Sequence, residues 1–112
     1  MSSGFIETGL SPGALDIHRA LASLQEELEA IDYYHQRADV IADEALKAVL
    51  VHNRNDEMEH ATMLLEWLRR SMPEFDLQMK KFIFQPGELT ALAKGVEPAV
   101  ANGTGLGLGN LK

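Results

Sequence analysis

From Ala14 to about Asp39 neither glycine nor proline interrupts the chain, and apolar side chains recur at Ile17, Leu21, Leu24, Leu28, Ile31 and Ala38. Spacings of three, four and seven residues put them on one helical stripe of coiled-coil type. Ser11 and Pro12 supply the start: a hydroxyl cap, then a proline at the first helical position, where the missing N–H has no intrahelical partner to lose. A second unbroken run, from about Asp43 to Ser71, continues the period through Leu46, Leu50, Asn53, Glu57, His60, Leu64 and Leu68. The interval around Ala42 has room only for a tight turn, which predicts an antiparallel helical hairpin.

Pro73 opens a shorter segment, 73–84, in which Phe75, Met79, Phe82 and Ile83 can share a face. Pro86 and Gly87 end it, and residues 88–94 have room for one or two helical turns. The sequence therefore divides into a small, polar, flexible N-terminus (1–11), a hairpin with a short third helix (12–94) and a Gly-rich tail (95–112). The tail, ending AVANGTGLGLGNLK, has no periodicity and almost no charge, so order there requires a partner. No internal repeat is present.

Composition narrows the function classes. At 112 residues, 46% of them hydrophobic, the chain fits one all-α domain whose apolar burial is modest, and self-association is the natural remedy. A formal charge of −7 argues against a nucleic-acid backbone as partner and suits cations. With no cysteine, disulfides and thiolate metal sites are excluded, leaving oxygen and nitrogen ligands. The N-terminus lacks the regions of a signal peptide and no apolar run has the length of a membrane span, so the expected location is intracellular.

Against that background the stretch HNRNDEMEH (52–60) is anomalous, because Glu57 and His60 stand on a stripe otherwise held by leucines. An unpaired buried carboxylate costs several kcal/mol, on the order of a small domain's whole stability, so a partner is required. Glu-x-x-His aims both side chains from one helix face at a common point. Four-helix carboxylate bundles hold metal pairs in this way, with a Glu from each of two helices and a Glu-x-x-His from each of two others. The hairpin brings Glu27, at the edge of the first stripe, level with residues 57–60. One chain thus supplies half the set, and two chains about a two-fold axis supply four carboxylates and two imidazoles. Such ligands suit iron or manganese.

The run EELEAIDYYHQR (26–37) followed by HNRNDEMEHATMLLEWLRR (52–70) resembles the encapsulated ferritins, a family of half-length ferritin-like proteins. The resemblance covers both long helices. It implies a four-helix di-iron site assembled between two chains, with dimers closing into a ring. On that pattern the iron ligands are Glu27, Glu57 and His60, and Tyr34 is a hydrogen-bond donor to a ligand carboxylate. Glu26 and Glu29 fall in a second acidic cluster that gathers iron on its way in. The family often carries tryptophan where this chain has Tyr33. GLGLGNLK (105–112) is similar to the peptides by which cargo docks inside encapsulin shells, with Leu106, Leu108 and Leu111 as the docking side chains. The implied activity is ferroxidase: Fe(II) oxidised to Fe(III) with O2, and the product stored inside a cytoplasmic encapsulin nanocompartment.

Two other readings use the same residues. A dimanganese or peroxide-consuming enzyme on the same scaffold would need similar ligands, and a helical cargo or adaptor could buffer metal without chemistry. Manganese or calcium could also occupy the secondary acidic sites. Among the remaining residues, Asp32 and His35 repeat the three-residue spacing, but a hydrogen-bonded interface histidine is the simpler reading of His35. His18 and His52 read as ordinary surface or interface residues, and Glu59 as part of a solvated face. Glu26 and Glu29 form a like-charged i, i+3 pair that mildly disfavours the helix. Met58, Met63 and Met72 read as packing residues, as do Trp67 and Phe75.

Overall fold

A computed structural model of the chain describes residues 6–95. The fold is all-α, with four helices among the described residues: α1 (Pro12–Val40), α2 (Glu44–Ser71), α3 (Pro73–Phe82) and α4 (Leu89–Ala93). The docking leucines Leu106, Leu108 and Leu111 lie outside the described residues, as does most of the Gly-rich tail.

Local chemistry sets the helix ends. Ser11 Oγ accepts from the Ala14 amide at 3.1 Å, satisfying one of the orphan donors of α1, and Pro12 holds the first helical position. At the other end Ile41 turns extended while its N–H still reaches the Arg37 carbonyl. Asp43 Oδ2 then accepts from the Leu46 amide at 2.7 Å, which starts α2 only three residues after α1 stops. A link this short returns the chain antiparallel, so residues near the middle of α1 face residues near the middle of α2.

The burial pattern refines the sequence-derived stripes. Ile17, Ala20, Leu24, Glu27, Ile31, Tyr34 and Ala38 form the buried and half-buried line of α1. Leu50, Arg54, Glu57, Ala61, Leu64 and Leu68 form that of α2, and Leu68 is fully buried. Leu21, Leu28 and Leu46, expected on the core stripe, lie instead on a neighbouring, exposed line together with Val49, Met63 and Trp67. Leu28 keeps 51% of its surface exposed and Met63 59%. Each long helix therefore carries two adjacent stripes, and a single chain buries one of them. The Glu27 carboxylate sits within the buried line rather than at its edge.

The chain divides between Ser71 and Met72 into two compact units. In the second, α3 starts at Pro73, which follows Met72 at the cap position, and it ends with the Ile83 amide bonded to the Met79 carbonyl. It stops two residues earlier than the periodicity predicts. Phe84 adopts φ +60, a conformation that no right-handed helix can continue through. After Gly87 (φ +112), the Glu88 side chain caps α4 by accepting from the Ala91 amide at 2.8 Å. Lys81 Nζ donates to the Ala93 carbonyl at 3.2 Å, tying α4 to α3.

Candidate metal centre

Antiparallel pairing brings Glu27 of α1 against Glu57 and His60 of α2. Each of the three offers a ligand atom within 4.8 Å of the others. His60 Nδ1 lies 3.3 Å from Glu57 Oε1 and 3.4 Å from Glu27 Oε1. The glutamate side chains keep 24% and 25% exposure, against 46% for the imidazole. The carboxylates thus sit on the line shared by α1 and α2. The imidazole sits between that line and the exposed stripe, since position 60 falls in the series Leu46, Val49, Asn53, Met63, Trp67.

Two carboxylates this close cannot both carry full charge at low cost. Glu27 is held above the ordinary carboxylate range, chiefly by its hydrogen bond to Glu57 and then by burial. Glu57 is held below that range, chiefly because it accepts that hydrogen bond. Each carboxylate thus biases the titration of the other, Glu27 upward and Glu57 downward. His60 is pushed above its usual value, first by its hydrogen bond to Glu57, with Glu27 adding to the effect. Glu27 Oε1 is buried and has no hydrogen-bond partner among the described residues, its 3.4 Å contact with His60 being an ion-pair approach rather than an aligned bond.

An orphaned carboxylate oxygen beside a second carboxylate and an imidazole is a donor set that a divalent cation satisfies. The ion would offset the repulsion between the two carboxylates and coordinate the unserved oxygen. All three candidate ligands come from the two long helices, which are capped close to the turn, so the arrangement is held by the hairpin rather than by a loop.

The other sequence-derived candidates are placed differently. Tyr34 is half-buried on the line of Glu27, and among the described residues its hydroxyl makes no hydrogen bond to either ligand carboxylate. Glu26 and Glu29 are exposed and do not join the Glu27 group, while Glu29 Oε2 accepts from the Tyr33 hydroxyl at 2.9 Å. That bond and the adjacent negative charge raise the Tyr33 phenol. His52 pairs with Asp56 at 3.3 Å on the solvent side. His35 meets neither Asp32 nor a metal-holding group. Its Nδ1 lies 3.1 Å from Arg54 Nη1, a contact between the two helices.

Arg54 is the residue that sequence reasoning passed over. It occupies a half-buried place on the seam, one turn before Glu57. Its signal in the sequence is an arginine in a heptad position among leucines.

A helical hairpin that gathers two carboxylates and an imidazole from facing helices has the design of a ferritin-like carboxylate protein. The EncFtn-like family model matches residues 6–86. A "Ferritin-like protein" of Thermotoga maritima is 49% identical over 77 residues, covering 69% of this chain and 68% of its own. An "Encapsulated ferritin-like protein" of Rhodospirillum rubrum is 44% identical over 110 residues, covering 85% of this chain and 76% of its own. The crystal structure of protein ne0167 from Nitrosomonas europaea superposes with a TM-score of 0.74 at 48% identity, covering 78% of this chain and 98% of that one. The chain belongs to the EncFtn-like family.

Proposed function

We infer that this protein is a ferroxidase whose di-iron site forms between two copies of the chain. The observation that carries the reading is the orphaned Glu27 Oε1 in the Glu27–Glu57–His60 cluster, set against an exposed apolar stripe. A second copy covering Leu21, Leu28, Met63 and Trp67 would bring its own cluster to the same interface. The combined set would be four carboxylates and two imidazoles. Dimers built this way would form a ferritin-like four-helix bundle.

Fe(II) is the substrate, and each ion gives up one electron to O2 to become Fe(III). Glu27 and Glu57 would hold the ions through hard anionic oxygens, which favour Fe(III) over Fe(II), and His60 would add the nitrogen ligand. Any proton held on His60 or Glu27, both of which have raised values, would leave as the cation enters. Tyr34, half-buried on the line of Glu27, would turn its hydroxyl toward a ligand carboxylate when the cation is bound. Glu26 and Glu29, on the exposed side of α1, would draw cations toward the site.

The name of the Rhodospirillum rubrum relative supports a location inside an encapsulin shell. Leu106, Leu108 and Leu111 of the Gly-rich tail would be the docking side chains. A hairpin of this size cannot enclose a mineral by itself, so the shell lumen would receive the Fe(III).

Aerobic addition of Fe(II) to apo-protein, followed as Fe(III) formation together with oxygen uptake, tests the reading. Oxidation above a protein-free control with proportionate oxygen loss is expected. Iron that binds without oxygen consumption would replace the ferroxidase by a metal-buffering cargo protein.

A further inference from the structure

Arg54 poses a problem that the metal centre alone does not answer. A permanent cation stands one turn from Glu57 on the same helix, at the i, i+3 spacing where an arginine and a glutamate ordinarily pair. Of the positions three and four residues to either side of Arg54 (Leu50, Val51, Glu57 and Met58), only Glu57 is acidic. Yet among the described residues Arg54 makes no ion pair, with Glu57 or any other carboxylate. Its Nε and Nη2 both donate to Asn55 Oδ1, at 3.2 and 3.1 Å, and its Nη1 reaches His35 Nδ1 at 3.1 Å.

Guanidinium can only donate, so His35 Nδ1 must accept, which places the ring proton on Nε2. The planar fork is then held at both ends: Asn55 on its own helix takes one edge, and His35 on the facing helix takes the other. Apart from the metal centre, this is the one side-chain hydrogen bond between α1 and α2 among the described residues.

We propose that His35 and Asn55 are positioning residues that restrain the Arg54 guanidinium away from Glu57, keeping that carboxylate free for the metal. The proposal rests on Glu57 being a ligand. Without the restraint, Arg54 swings to Glu57 and forms a charge-assisted pair that a cation must break before it can bind. Arg54 itself is half-buried on the same line of α2 as Leu50, Glu57 and Ala61.

The test measures Co(II) binding by isothermal titration to the full chain and to four variants: His35→Ala, Asn55→Ala, Arg54→Gln, and His35→Ala with Arg54→Gln. His35→Ala and Asn55→Ala are each expected to weaken Co(II) binding by about three- to tenfold, the range open to a partly buried competing pair. Adding Arg54→Gln to His35→Ala should restore wild-type affinity. A residue that merely held the helices in register would behave differently, because the double variant would stay at least as weak as the single one. That result overturns the proposal, as does wild-type affinity in both single variants. His35 and Asn55 are exposed, so both variants should fold, with thermal midpoints as the control. A long-range proton–nitrogen spectrum of the free protein should show His35 protonated on Nε2, and protonation on Nδ1 would overturn the restraint directly. Failure of the wild type to bind Co(II) or Fe(II) would instead remove Glu57 as a ligand, and this proposal with it.

Discussion

His60 Nδ1 on α2 stands 3.4 Å from Glu27 Oε1 on α1, a buried oxygen that has no hydrogen-bond partner among the described residues. The two belong to different helices, Glu27 within the hairpin seam and His60 on its more exposed side. Their approach defines a site that is only partly satisfied by the chain that builds it.

Replacing Glu27 by Gln should therefore separate stability from function. The amide can donate to Glu57 without needing a carboxyl proton, so the apo-protein is expected to gain up to about 1 kcal/mol, read as a higher thermal midpoint. Fe(II) oxidation should fall to the protein-free rate in this variant and in Glu57→Ala and His60→Ala. A destabilised Glu27→Gln apo-protein would mean that the carboxylate is better satisfied than its geometry indicates.

The exposed stripe should govern association. Leu28→Asp and Met63→Asp each place a charge on a surface that the single chain leaves open. Light scattering coupled to size exclusion should show monomers for both, with helical circular dichroism retained. Burying either side chain is worth about 1.5–3 kcal/mol, and the loss doubles because a two-fold interface carries each substitution twice. An unchanged oligomer would move the interface elsewhere.

The cluster also sets a pH dependence through His60. His60 has its folded-state value raised by Glu57 and Glu27, so its contribution to stability is fully present below about 6.5 and is lost as pH rises through the raised value. The apo wild type should lose thermal stability over that interval relative to His60→Ala. Cation affinity should move the opposite way, rising as the imidazole proton becomes easier to displace. Parallel melts and Co(II) titrations between pH 6 and 9 give both slopes.

Acid should act elsewhere, at Glu66. Arg69 and Arg70 hold its carboxyl down to about 2, with bonds of 2.8 Å from Arg69 Nη2 and 2.7 Å from Arg70 Nε. A depressed carboxylate stabilises the fold above its unfolded value of about 4.5 and loses that contribution as pH falls toward 2. Wild type and Glu66→Gln should thus differ most above pH 4.5 and converge near 2. The side chain is well exposed, so high salt should shrink the difference.

Deleting residues 103–112 should leave Fe(II) oxidation unchanged while abolishing loading into an encapsulin shell, measured by co-purification with shell protein. Loading that survives the deletion would assign docking to another part of the chain.

Much of this was legible in the sequence because its causes are local. Ser11 with Pro12 and Asp43 set where the long helices begin, and Glu57 with His60 share a helix face by spacing alone. The short turn between the helices was enough to bring Glu27 level with them. Tertiary structure decided what depends on how each helix rotates against its neighbour. Two apolar stripes lie side by side on each long helix, and a periodicity count cannot say which one the chain keeps for itself. The pairing placed Glu27 inside the seam, left Leu21 and Leu28 outside, and turned the Arg54 guanidinium to His35 rather than to its helix neighbour Glu57. Caps and periods are fixed by residues a few positions apart, whereas helix rotation follows from packing summed over the whole seam.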